Sequence, residues 1–173
     1  VGFGEDTVEM THNDLWRYDP LTDVWSQMMN LPGSTRRNAV ATAIGTKGYV
    51  GLGADSSVSW AGSILSDWWE YDPATNNWTQ KANYPGGIDV SGSSGAQGVY
   101  FATAFSIGTL GYVCGGKMGA DFYGTDLWQY DPSGDSWTRM ADFPGQDRYQ
   151  LSSFAIDGKG YVATGYINFL NPT

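Results

Sequence analysis

The 173-residue chain has a single cysteine, Cys114, and a single histidine, His12. No disulfide framework and no Cys/His zinc site can be assembled from that pair, and a lone loop histidine builds no Ser-His-Asp set. Cys114 lies inside the apolar phrase "GYVCGG" and reads as a small buried hydrophobe rather than a nucleophile. Charge is also scarce: Asp, Glu, Lys and Arg make up 16% of the chain, well under the usual share of about a quarter. Nine basic residues face 18 acidic ones, for a net charge of −9, which argues against a nucleic-acid partner because phosphates call for a basic face. Six of the acids, Asp14, Asp19, Asp67, Asp72, Asp126 and Asp131, recur at repeated positions, leaving 12 against nine Lys plus Arg, a mild excess that reads as solvated surface. No apolar run approaches the ~18 residues of a membrane span, so no membrane insertion is expected, and no basic-then-apolar start reads as a signal peptide. No segment carries an apolar i, i+3, i+4 pattern with caps, so helices are not expected. There is no Asp-x-Asp-x-Asp-Gly calcium loop and no glycine cradle between a strand and a helix. Neither a metal nor another cofactor is expected.

What the chain does have is glycine, 24 residues, and aromatics, 15% of the total. The phrases "DLWRYDP", "DWWEYDP" and "DLWQYDP" begin at residues 14, 67 and 126. In each a second tryptophan follows the first by nine residues: Trp16 and Trp25, Trp69 and Trp78, Trp128 and Trp137. Successive pairs stand 53 and 59 residues apart, and between them run Leu31-Pro32-Gly33, Tyr84-Pro85-Gly86 and Phe143-Pro144-Gly145. A second phrase closes each unit, as "AIGTKGYVGLG", "SIGTLGYVCGG" and "AIDGKGYVATG". Alternation within "LWRYD" is the period-two pattern of a strand, and Asp-Pro stops it, since Asp favours an Asx turn and Pro cannot continue a central ladder. Each period reads as four short antiparallel strands. Such a unit cannot bury both faces alone, so copies must stack as the blades of an all-β propeller. The repeated aromatics then read as wedges between blades, with Trp69, Trp128, Tyr71 and Tyr130 expected to be largely buried.

The order and spacing of these phrases resemble the kelch family, within the galactose oxidase-like propeller superfamily. The resemblance rests on the glycine-rich end of one strand (Gly51-Leu52-Gly53, Gly115-Gly116, Thr164-Gly165), on Tyr-Asp-Pro, and on the Trp nine residues after the first. Two departures stand out. The double glycine is intact only at Gly115-Gly116, and the Arg that usually opens the first strand of a kelch blade is present at Arg36 and Arg148 but replaced by Val99. With strands numbered from the propeller axis outward, residues 1–30 supply strands two to four of one blade. Residues 36–82 and 98–141 are whole blades, and 148–166 supply the first two strands of another. The resemblance implies a ring of six or seven blades, so this segment of about three and a quarter blades is expected to pair with remaining blades of the same chain or with a second copy.

In an up-and-down blade, the connections from strand two to three and from strand four to the next blade emerge on one side. That side carries the long variable loops, 5–13, 54–66, 86–98 and 117–125, and variable loops on a rigid scaffold are where recognition is found. The candidate ligand-binding residues are Arg36, Arg37, Tyr100, Arg148 and Tyr149, at the mouth of the central channel, together with Trp60, Phe122 and Tyr123 on the loops. The resemblance implies that arginines at such positions contact acidic peptides in some kelch domains, and that similar rims hold sugars in sialate mutarotase-like members. Against that stands a structural alternative, in which the arginines brace backbone carbonyls or neighbouring Asp residues. A copper oxidase of the galactose oxidase type needs two histidines and a cysteine–tyrosine crosslink, which this chain does not supply. The expectation is a non-catalytic binding or scaffold module for a protein or glycan partner, with no catalytic residues, in a secreted or cell-surface bacterial kelch protein. The alternative is a sugar-processing enzyme of the sialate mutarotase type, distinguished by a compact cationic pocket rather than an open aromatic platform.

Overall fold

In the computed structural model, residues 2–5, 10–55, 64–87, 98–118 and 123–167 are described. They form strands and turns without a helix. Blade one is a three-stranded sheet of β1 (Gly2–Glu5), β2 (Thr11–Asp19) and β3 (Val24–Gln27). Blade two holds β4 (Val40–Ile44), β5 (Lys47–Gly51), β6 (Trp68–Asp72) and β7 (Asn77–Lys81) in sequential order. Blade three repeats it with β8 (Thr103–Ile107), β9 (Leu110–Lys117), β10 (Tyr123–Asp131) and β11 (Ser136–Arg139). Blade four contributes a two-residue strand β12 (Arg148–Tyr149), then β13 (Ser152–Ile156), β14 (Lys159–Ala163) and β15 (Tyr166–Ile167). Here β13 pairs with β14 while β12 pairs with β15. Every pairing is antiparallel. The innermost strands β4, β8 and β13 pack side by side, which fixes the blades around a common axis.

The tryptophan phrase has a definite job in this arrangement. Trp78 Nε1 of blade two donates to the Met29 carbonyl at the end of blade one, at 2.8 Å, and Trp137 Nε1 of blade three donates to the Ala82 carbonyl at the end of blade two, at 2.9 Å. Beside each indole, the turn residue Asn76 or Asp135 adopts positive φ, 51° or 45°. Asn and Asp tolerate that conformation better than other non-glycine residues. Its Oδ1 accepts the hydroxyl of Tyr71 or Tyr130 at 2.8 Å, and also the backbone N–H of Met29 or Ala82 at 2.9 Å. One turn therefore clasps the preceding blade through both a donor and an acceptor.

Tyr71 and Tyr130 are buried, as is Trp78. Trp69 packs against the cluster that holds Leu31, and Trp128 against Tyr84, at the blade junctions, but both are only half-buried, short of the burial expected, with Nε1 hydrogen-bonded to Asp67 at 2.6 Å and Asp126 at 2.7 Å. Trp69 and Trp128 share a sheet face with the buried Tyr71 and Tyr130, while the fully buried indole of blade two is Trp68 on the opposite face, which meets Tyr49, Tyr130 and Trp137. The outward faces of the first and last described blades are open: Tyr18 and Trp25 of blade one and Phe154 and Tyr161 of blade four are exposed.

Candidate functional site

All three described blade entrances share one backbone device on the long-loop side. A residue at positive φ, Asn38, Phe101 or Gln150, precedes the innermost strand. Across from it, the end of strand two turns through a pair at positive φ: Leu52-Gly53, Gly115-Gly116 or Thr164-Gly165. Glycine is required at the second place: a Cβ on Gly116 would lie 2.9 Å from that of Ala102, and on Gly53 2.5 Å from the Arg37 carbonyl. This kink brings Arg37 opposite Ala54, Tyr100 opposite Lys117, and Tyr149 opposite Tyr166.

The consequence at blades three and four is a cation inside an aromatic cluster. Lys117 Nζ lies 6.0 Å from the ring centre of Tyr100, 5.4 Å from Tyr123 and 5.7 Å from Tyr149. Tyr123 stacks on Tyr149 with centres 5.1 Å apart, and Tyr149 also meets Phe101 and Tyr166 at 5.6 and 5.5 Å. Cation–π attraction holds the ammonium over these rings, and Lys117 has no carboxylate partner among the described residues. Its three N–H donors are thus placed for an incoming anion, with tyrosine faces to either side.

Of the residues anticipated from the sequence, Tyr100, Tyr149 and Tyr123 come together here. Arg37 stands on the same rim at the neighbouring blade, half-buried. Trp60 and Phe122 lie outside the described residues. Arg36 and Arg148 stand apart from this cluster in bracing contacts, the first buried and the second half-buried. Arg36 is fully buried, with its guanidinium committed to Asp67 at 2.6 and 2.7 Å and to the Ser34 and Leu52 carbonyls. Arg148 repeats the two backbone bonds, to the carbonyls of Gln146 at 3.0 Å and Thr164 at 3.3 Å, and packs its guanidinium over Phe143. The bracing role is the one realised. Sequence reasoning missed Lys117; the available signal was that it directly follows Gly115-Gly116, where the matching positions hold Ala54 and Tyr166.

A cleft of about 370 Å³ adjoins this cluster and shares Tyr123 with it; Gly86, Gly87, Met118 and Asp126 are among its other walls. Cys114 lies in β9, buried, and burial with the nearby Asp126 and Asp142 charges pushes its thiol up to about 11. At neutral pH it is an inert thiol, not a nucleophile.

These sheets and their clasps define a segment of a kelch-type β-propeller. Residues 99–144, which make up most of blade three, match the Kelch motif family. A solved structure titled "Structure of YjhT" superposes with a TM-score of 0.72 at 16% identity, covering 95% of this chain and 54% of that one. Among curated proteins, an N-acetylneuraminate epimerase of Pasteurella multocida (strain Pm70) is 24% identical over 172 residues, covering 83% of this chain and 44% of the relative. A second N-acetylneuraminate epimerase, from Yersinia enterocolitica, is 35% identical over 66 residues, covering 37% of this chain and 17% of that protein. The chain thus spans less than half the length of the curated relatives it matches. The expectation of a non-enzyme is corrected by these relatives, both of which carry an enzyme's name. Ruling out copper-oxidase and serine-hydrolase sets removed two kinds of catalysis, not catalysis as such.

Proposed function

We propose that this chain is part of a sugar-processing enzyme of the N-acetylneuraminate epimerase, or sialate mutarotase, type, and that its acidic sugar substrate binds on the long-loop side at Lys117. The relatives' shared name supports the reaction class. The observation in this chain that carries the reading is the Lys117 ammonium, held over Tyr100, Tyr123 and Tyr149 at the blade entrance. A sugar acid presents two chemistries to such a site. Its carboxylate takes charge-assisted hydrogen bonds from the ammonium, and the C–H face of its ring packs on tyrosine. The site combines features of the two surfaces set against each other above, with a cation supplied by lysine instead of arginine and aromatic walls instead of an open platform.

Mutarotation opens the sugar ring by moving a proton off the anomeric hydroxyl and onto the ring oxygen, then closes it on the other face. Hydroxyls and carboxylates around a fixed carboxylate anchor are the groups that chemistry uses. The test is Lys117→Gln in the intact protein. Loss of one charge-assisted contact, about 1.5 to 3 kcal/mol, should weaken N-acetylneuraminate binding roughly 10-fold or more while leaving thermal stability nearly unchanged. Equal affinity in the variant would remove Lys117 from the site.

A further inference from the structure

Blade three lacks the arginine that blades two and four place at the entrance, and its aspartate shows the effect. Asp126 is the counterpart of Asp67, and Val99 of Arg36. Asp67 receives the arginine on both oxygens. Asp126 Oδ2 accepts the Trp128 indole N–H at 2.7 Å and the Tyr84 hydroxyl at 3.4 Å. Its Oδ1 is out of contact with solvent and accepts no hydrogen bond among the described residues. A buried carboxylate oxygen without a donor is costly, and native structures seldom keep one idle.

Two small residues stand in this blade where the others carry larger ones. Val99 is fully buried and carries no side-chain donor. A Cβ on Gly124 would sit 2.6 Å from Oδ1, where the matching positions in blades one and two hold His12 and Leu65. The cleft borders Asp126, with Gly86, Gly87, Met118, Tyr123 and Arg139 among its other walls. Tyr123 also stands beneath Lys117 Nζ at 5.4 Å, so the cleft and the cationic cluster share that residue.

We infer that Asp126 and this cleft form a polyol subsite, in which Oδ1 accepts a hydroxyl of the sugar whose carboxylate faces Lys117. The inference rests on the sugar-acid reading above. Neutral donors already serve the other oxygen of Asp126, and Arg139 lines the same cleft, so a ligand O–H fits better than a second cation. The exchange of arginine for valine thus turns a brace into a binding position, in one blade of the three whose entrance is described.

The experiment is residue-resolved NMR on the intact protein, reading the amides of Gly86, Gly87 and Gly124. N-acetylneuraminate and mannitol, a neutral polyol without a carboxylate, are titrated separately. Both are expected to shift these amides, and Asp126→Asn, which places a donor where an acceptor is needed, should weaken both at least 10-fold. The double variant V99R/Y84L rebuilds the Leu31 and Arg36 arrangement of blade two, and should abolish the mannitol response while N-acetylneuraminate still perturbs Tyr123 and Tyr149. If the double variant fails to fold, Asp126→Asn decides alone. Amides that neither sugar moves, or an unchanged affinity in Asp126→Asn, would overturn the subsite. Shifts confined to the Lys117 cluster would do the same while leaving the sugar-acid reading standing. Mannitol binding at the glycines without any N-acetylneuraminate binding would support the polyol subsite and sink the epimerase reading instead.

Discussion

Arg36 grips Asp67 from the blade entrance through both terminal guanidinium nitrogens, at 2.6 and 2.7 Å, with the arginine fully buried and the aspartate partly buried. The pair ties the start of the innermost strand to the start of the third strand within one blade, and the Trp69 indole locks the same carboxylate. Removing one member of a buried ion pair strands the other charge, at a cost of about 3 to 5 kcal/mol. Arg36→Met should therefore destabilise the protein by that amount in urea unfolding. A loss under about 1 kcal/mol, the value of a surface pair, would show that the brace is dispensable.

The clasp between blades makes a graded prediction. Trp137→Phe keeps an aromatic ring against Trp68, Tyr84 and Tyr130 but loses the bond to the Ala82 carbonyl. It should cost about 1 kcal/mol from the lost bond, with a further penalty for stranding the carbonyl. Trp137→Ala should cost roughly 3 to 5 kcal/mol. The homologous Trp25→Ala in exposed blade one should cost far less in a protein presenting that face to solvent, and comparable chevron or equilibrium measurements separate the three.

The blades were legible because the phrase at 14, 67 and 126 is repeated, and repetition converts weak strand signals into a period. Which indole would be buried was less legible. In "DWWEYDP" two adjacent tryptophans point to opposite faces, and only the packing partner decides that Trp68 goes inside while Trp69 turns to Asp67. The arginines misled for a related reason. A sequence shows that Arg36 begins a strand, but not that Asp67, 31 positions on, lies within bonding distance. The place of Lys117 directly after Gly115-Gly116 marks the position but not its surroundings, which are assembled from Tyr100, Tyr123 and Tyr149, drawn from two blades.

Cys114 gives a pH-dependent prediction with a definite sign. Burial, followed by the Asp126 and Asp142 charges, raises its thiol from 9.0 to about 11. A raised folded-state value means the protonated thiol is favoured by the fold, so its contribution is complete below pH 9 and is lost as pH rises from 9 toward 11. Relative to Cys114→Ala, the unsubstituted protein should therefore lose stability across that interval and not below it. Alkylation of the native protein at pH 8 should be slow and become fast only on unfolding. Rapid native-state labelling would mean that the thiol is neither buried nor depressed in reactivity.

The central claim is that this propeller acts on an acidic sugar through the Lys117 rim. It is tested most directly by following the interconversion of N-acetylneuraminate anomers by NMR with the intact protein, its Lys117→Gln variant and no protein. The account predicts exchange well above the uncatalysed rate with the unsubstituted protein, and a KM raised roughly 10-fold or more by loss of the charge-assisted contact in the variant. Anomer exchange at the uncatalysed rate in the presence of folded, intact protein would contradict it.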